Sequence, residues 1–215
     1  MSYLLRAAAR KIIHMKVLPK SFYQRTDTLQ IAKELLGKIL VTKWNGVITS
    51  GRIVECEAYN GIVDKASHAY GIRRTNRTEI MYAEGGRAYV YLCYGIHHLF
   101  NVVTNVKDEP HAILIRGLEP IKGIDLMLER TGKTKLDHTI SRGPGNVSKA
   151  LGIEISHSGL SLINSKLFIA EDDFEISQDQ IATSPRIGVE YAGKDAKLPY
   201  RFFLKGNLFV SGKPK

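Results

Sequence analysis

The sequence predicts an α+β fold: one domain whose strands pair mostly antiparallel. Three observations carry this. Strand-like apolar runs outnumber helical ones. Two dipeptides, Asn45-Gly46 and Tyr94-Gly95, lie between such runs where hairpins turn. Strands and helices do not alternate regularly, as a sheet of βαβ units requires. A chain of 215 residues is expected to form a single domain with a substantial core, without help from metals or disulfides. Its composition, 44% hydrophobic and 24% charged, is that of an ordinary globular protein rather than a disordered or fibrous one.

The opening stretch, "MSYLLRAAARKIIHMKVLPK", has no acidic residue and faintly suggests a transit peptide. Met15 offers a second start, so residues 1–17 are read as a disordered basic extension and 18–215 as the folded domain. "TDTLQIAKELLGK" predicts a helix capped by Asp27 or Thr28, with Leu29, Ala32, Leu35 and Leu36 as its apolar face and Gly37 at its end. "KILVTKW" and "VITSGRIVECEAY" flank the Asn45-Gly46 turn, and "GRAYVYLCYGIHHLFNVVT" is a second strand pair turning at Tyr94-Gly95. "HAILIRG" is a strand, and "EPIKGIDLMLERTGK" a helix with Pro120 near its start and Gly132 after it. "RGPGNVSKALGI" is a Gly-Pro-Gly turn feeding a short helix, and "SKLFIAE", "PRIGVEYAG" and "YRFFLKG" are strands.

Within "GRIVECEAYNG", alternation puts Val54, Cys56 and Ala58 on one face and Ile53, Glu55, Glu57 and Tyr59 on the other. Two carboxylates in such a run are either the solvated side of a half-buried strand or a functional pair, and spacing alone does not decide. Charge narrows the choice of partner. The chain has 31 Lys and Arg against 21 Asp and Glu, a net charge of +10, which suits nucleic acid or a lipid surface. The competing reading is a merely soluble basic surface. No apolar run approaches the roughly 18 residues of a membrane span. Cys56 and Cys93 form neither a zinc motif nor a disulfide framework and read as buried thiols in a reducing compartment.

The segment from residue 59 to 101 is dense in aromatic and basic residues. Arg73, Arg74, Thr75 and Arg77 in "ASHAYGIRRTNRTEIM" suit phosphate oxygens, although an idle basic loop has the same composition. Tyr59, Tyr89, Tyr91 and Tyr94 offer flat faces to a nucleobase, or pack in the core. The helix start after Gly143 and Gly145 is a second candidate anion site. His97 and His98, adjacent in a strand, face opposite sides, and His68 lacks the i, i+4 partner of a helical zinc site, so no metal is expected. There is no Walker loop and no Gly-x-Ser-x-Gly elbow.

"GRIVECEAY", "SHAYG", "RRTNRTEIMY", "AYVYLCYGIHHLFNVV", "AILIRGLEP", "GPGNVSKALGI" and "RIGVEYAG" resemble, in order and spacing, the alkyladenine (3-methyladenine) DNA glycosylase family from about Leu18 to Gly206. The resemblance implies an α+β domain with a curved antiparallel sheet, a protruding β-hairpin and a few helices. It implies excision of alkylated or deaminated purines from double-stranded DNA by a monomer, with no cofactor and no lyase step. By resemblance Glu57 activates water, and Arg116 and the carbonyl of Ile187 help hold it. Tyr59, His68 and Tyr91 sandwich the flipped base, Asn101 lies on the pocket floor, and Tyr94 is the wedge. Asn146 stands where a phosphate-contacting lysine is expected, and Ile187 where valine is more usual. Glu55 has no role by resemblance and is expected to pair with a nearby arginine. The expected location is intracellular: cytoplasm or nucleoid, or nucleus or organelle in a eukaryote. The alternatives are a basic nucleic-acid-binding module without chemistry and a metal-dependent nucleoside hydrolase or deaminase.

Overall fold

The computed structural model describes residues 15–163 and 165–212. Its first strand, β1 (Lys16–Val17), pairs antiparallel with Ala170 and Glu171. Most of the extension expected over residues 1–17 lies outside the described residues, but its last two form this strand. A single turn, α1 (Lys20–Tyr23), leads to α2 (Thr28–Leu35). Helical spacing turns Ile31, Ala32 and Leu35 inward, where all three are fully buried. Burying an Ile or Leu side chain contributes about 1.5–3 kcal/mol. Leu29, expected on that face, is only half-buried at its margin. The Asp27 carbonyl accepts from the N–H of Ile31, while its side chain makes no cap.

Asn45 (φ 50°) and Gly46 (φ 81°) both take left-handed backbone, as a two-residue hairpin turn demands, and join β2 (Ile39–Trp44) to β3 (Val47–Tyr59). The second hairpin joins β4 (Arg87–Cys93) to β5 (His97–Thr104) through Tyr94 (φ 50°) and Gly95 (φ 73°). After β6 (His111–Lys122), Gly123 opens α3 (Ile124–Thr131) and Gly132 closes it. The expected helix therefore starts later than Pro120. That proline sits in β6 opposite Gly51, beside a register shift at Ser50 and Gly51. Such an irregularity tolerates a residue with no N–H to donate.

Gly143 (φ 91°) caps α4 (Pro144–Leu151), with Pro144 at its first position. β7 (Leu167–Glu171), β8 (Ile181–Ser184) and β9 (Arg201–Leu204) complete the sheet. "PRIGVEYAG" is not a strand. Arg186 turns inward, Gly188 (φ 75°) and Gly193 (φ 61°) bend the chain, and Glu190–Lys197 is 3-10 helical.

Among the described residues, nine strands form one curled antiparallel sheet in the order β1-β7-β2-β3-β6-β5-β4, with β9 added to β3 and β8 to β9. β3 is its hub. One edge pairs with β6, while the other pairs first with β2 and then, at Glu55–Glu57, with β9. Every residue from Ile53 to Ala58 is buried, so the glutamate face is not the solvated side of a half-buried strand. Its opposite face meets α2, where the Cys56 thiol donates to the Ala32 carbonyl at 3.1 Å. Cys93, expected to be buried, is only half-buried. Among the described residues no helix is long and apolar enough to cross a membrane.

Opposite Glu55, β6 carries Gly117, where a Cβ would lie 2.6 Å from the Phe209 carbonyl oxygen and 3.2 Å from the Glu55 carboxylate. Gly117→Ala is therefore expected to destabilise the fold by about 1–3 kcal/mol, the range for overpacking. Urea unfolding checks this, and an unchanged midpoint would mean that the C-terminal segment yields freely.

Candidate active site

The last half of β3 aims Glu55, Glu57 and Tyr59 to one side, and both carboxylates are 0% exposed. Buried carboxylates need cations or donors. Glu57 Oε1 accepts the backbone N–H of Ile187 at 2.8 Å and lies 3.4 Å from Arg116 Nε. Its Oε2 accepts from the Tyr59 hydroxyl at 2.9 Å. Burial pushes the Glu57 pKa above the ordinary carboxylate value, against the opposing pull of Arg116, the Ile187 N–H and Tyr59. Glu55 is paired with arginine as expected, and with two of them: Arg116 Nε at 3.1 Å and Arg201 Nε at 2.7 Å.

A cavity of about 570 Å³ opens beside this group. Tyr59, His68, Tyr91, Asn101, Arg116 and Ile187 all line it, although they come from six separate strands and loops. His68 meets Tyr91 edge-on, with centroids 4.6 Å apart, and its Nδ1 is 2.8 Å from the Tyr89 hydroxyl. Burial first, then Arg77 and Arg73, lower its pKa from 6.5 to about 4, so the ring is neutral at pH 7. The Asn101 amide nitrogen donates to the carbonyls of Tyr89 and Leu99 at 3.2 and 3.3 Å. Its oxygen is left as the acceptor on that side chain.

The basic loop divides. Arg73 and Thr75 are exposed. Arg74 is committed to Glu79 (2.7 and 2.8 Å) and Asp108 (2.8 Å), which neutralises the charge it was expected to offer a phosphate. Arg77 lies over the Tyr91 ring at 4.9 Å and lines the cavity itself. Gly143, Gly145 and Asn146 reach the cavity wall, and a Cβ on Gly145 would meet the His97 ring at 3.0 Å. Asn146 donates to the Arg142 carbonyl. Tyr94 stands at the hairpin tip, 90% exposed, beside the exposed side chains of Leu92 and Ile96. Among the described residues, no group of three or more His, Cys, Asp or Glu is placed to hold a metal ion.

Residues 21–208 match the methylpurine-DNA glycosylase family. The chain belongs to that family. Three relatives, each named "Putative 3-methyladenine DNA glycosylase", show how far the likeness of this chain extends. That of Clostridium perfringens (strain SM101) is 45% identical over 204 residues, 91% of this chain and 99% of the relative. That of Bacillus cereus (strain G9842) is 47% identical over 203 residues, 91% and 98% of the two chains. That of Chlamydia abortus is 47% identical over 189 residues, 87% and 98%.

Sequence reasoning missed three groups at this glycosylase's candidate site. Arg186, 5% exposed, grips both oxygens of buried Asp64 and the Ala58 carbonyl, lies 4.8 Å over the Tyr59 ring, and so fixes the loop that carries Ile187. Tyr191 lines the cavity from "RIGVEYAG", and Ser211 holds Glu55 from near the C-terminus. Asp64 and Arg186 are 122 residues apart, and no local pattern announces such a pair.

The His68 environment makes a measurable claim. A base whose folded pKa is depressed contributes stability above its unfolded pKa and loses it as pH falls toward the folded value. Between pH 6.5 and about 4, protonation of His68 should therefore weaken the fold. Imidazole 15N shifts should give a midpoint near 4, and Arg77→Ala should raise it. A midpoint near 6.5 would show a ring open to water.

Proposed function

We propose that this chain excises alkylated or deaminated purines from duplex DNA by hydrolysing the N-glycosidic bond. The observation that carries the reading is Glu57: a buried carboxylate of raised pKa beside an aromatic cavity, within a chain of net charge +10. A base inside a duplex hides its glycosidic bond, so the nucleotide must be extruded at a cost of a few kcal/mol, least for damaged bases that pair poorly. The rings of Tyr59, His68 and Tyr91 would sandwich the extruded base, and exposed Tyr94 would fill the gap. The charge excess would engage the phosphates, with Arg73 a better candidate than Arg74.

In the chemical step, water oxygen bonds to C1′ as the C1′–N bond breaks, and the base leaves with the bonding electrons. Glu57 takes the water proton. A raised pKa makes it a stronger base than an exposed carboxylate. Arg116 and the Ile187 peptide flank Glu57 and would help hold the water. Among the described residues, no lysine lines the cavity, which favours water over an amine nucleophile and an abasic product over strand cleavage. We read the active species as a monomer working on intracellular DNA.

Glu57→Gln keeps the shape and loses the basicity, so excision should disappear while damaged-duplex affinity stays within roughly tenfold. Single-turnover excision, scored by alkaline cleavage of duplexes carrying hypoxanthine, 3-methyladenine or ethenoadenine, tests this. In the wild type the rate should fall as pH drops through a midpoint above the ordinary carboxylate range, because only the ionised base works. Excision by the Gln variant at the wild-type rate would remove Glu57 from the chemistry and leave the binding-module reading.

Selectivity against guanine must come from an edge of the base, since stacking faces are alike. Asn101 lines the cavity with its amide held by the Tyr89 and Leu99 carbonyls, so it can exclude the guanine 2-amino group sterically, and such overpacking costs about 1–3 kcal/mol. Asn101→Ser should therefore raise guanine excision relative to hypoxanthine, even as total activity falls. Because the Asn101 amide also braces the hairpin, a melting temperature is needed beside the rates. A folded variant with an unchanged ratio would refute the idea.

A further inference from the structure

Glu55 is buried one alternation from Glu57 and is no part of the chemistry described above. Its carboxylate accepts four hydrogen bonds. Oε1 accepts from Arg116 Nε (3.1 Å), Arg201 Nε (2.7 Å) and the Ser211 hydroxyl (2.8 Å), while Oε2 accepts the Ser211 backbone N–H at 2.6 Å. Ser211 is itself tied down, its carbonyl taking Arg201 Nη2 at 2.6 Å and its hydroxyl taking Arg116 Nη2 at 3.1 Å. Gly117 is the residue that lets Glu55 sit this close to β6.

The geometry at Arg116 shows what this anchoring does. Its Nε is shared between Glu55 at 3.1 Å and Glu57 at 3.4 Å, and its Nη2 is held by Ser211. A guanidinium free to choose binds a carboxylate through two parallel hydrogen bonds. Here it cannot, because Glu55 and Ser211 hold it off. Both Glu57 oxygens thus escape a bidentate clamp that would occupy the lone pairs a water needs. We propose that Glu55 is a positioning residue for excision: pinned by Arg201 and the C-terminal Ser211, it holds Arg116 in a shared pose that leaves Glu57 able to receive a proton from water.

Charge supports the geometry. The groups around Glu57 are Glu55, Cys56 and Tyr59 from β3, Arg116 from β6, Arg201 opposite it on β9, Arg186 from the loop after β8, and Tyr191. Apart from burial, Glu55 is the carboxylate among them that lifts the Glu57 pKa, while Arg116 lowers it. Neutralising Glu55 should therefore lower the Glu57 pKa twice over: the nearby negative charge goes, and Arg116 is released to clamp Glu57.

The inference rests on the reading of Glu57 as the general base, and its test separates the two. Single-turnover excision is measured from pH 4 to 8 on a hypoxanthine duplex with the full chain. Glu55→Gln should lower the plateau rate by roughly tenfold or more and move the acid limb to lower pH, while damaged-duplex affinity changes by less than about threefold. Glu55→Asp retracts the carboxylate but keeps its charge, so it should lose rate with a smaller shift of the acid limb than Glu55→Gln. A Glu55→Gln protein whose acid limb stays put overturns the proposal, whatever its rate, since a packing role predicts loss without that shift. If Glu55→Gln does not fold, Glu55→Asp decides: a wild-type rate overturns the proposal, and slowed excision at unchanged affinity and melting temperature supports it. An active Glu57→Gln variant would fell both readings, whereas an inactive one beside a wild-type-like Glu55→Gln would fell this one alone.

Discussion

Two carboxylates two residues apart on a central strand, both out of water, are a constraint the whole sheet must satisfy. Each buried ion costs several kcal/mol unless it is paired, and removing one partner of such a pair typically costs about 3–5 kcal/mol. The partners come from the strands on either side of β3: Arg116 from β6 and Arg201 from β9. A slip of one residue in either pairing would turn the guanidinium to the other face of the sheet and strand a carboxylate. The register is thus set by charge as well as by apolar packing. The pairing of β3 with β6 also shifts here. Val54 and Arg116 are passed over between Ile53↔Leu118 and Cys56↔Ile115, but the register is the same on both sides, so Arg116 stays on the face of the glutamates.

The same arrangement separates two electrostatic environments. Glu55 and Glu57 against Arg116 and Arg201 sum to zero, as do Asp64 and Arg186, and His68 is neutral at pH 7. The net +10 therefore lies outside these buried groups, and Arg77 is a cavity-lining side chain that carries part of it. On the proposed function this division is useful. Phosphates are drawn to the outer surface, while an extruded base enters a cavity whose walls recognise shape and edge contacts.

How much of this was legible in the sequence depended on whether the cause was local. Asn45-Gly46 and Tyr94-Gly95 turn because of their own backbone preferences, so both hairpins could be read directly. The Gly143-Pro144 start of α4 is equally local. Alternation correctly grouped Glu55, Glu57 and Tyr59 on one face, but burial of that face depends on β9 and the C-terminal segment, far along the chain. Pro120 and "PRIGVEYAG" misled because distant pairing overrode local signals: Gly51 accommodates the proline, and Asp64 draws Arg186 inward. Grouping Tyr59, His68, Tyr91 and Asn101 in one site rested on family resemblance, since no periodicity links residues of separate strands and loops.

The hairpin β4–β5 joins two tasks in one rigid unit. Its tip exposes Leu92, Tyr94 and Ile96 on a single turn, an apolar cluster of the kind that marks an interaction surface. Its body carries Tyr91 and Asn101 into the cavity, with Tyr91 paired to Leu99 and Tyr89 to Asn101. At about 3.3 Å per residue, Tyr91 lies within roughly 10 Å of Tyr94 along the strand. Because the two are joined by paired backbone, the tip cannot move far without moving the cavity wall. On the proposed function, a Tyr94 ring inserted into the duplex would set the distance between the vacated stack and the pocket that receives the base. The wedge would then select for nucleotides that can cross that gap, before any contact at Asn101 is made.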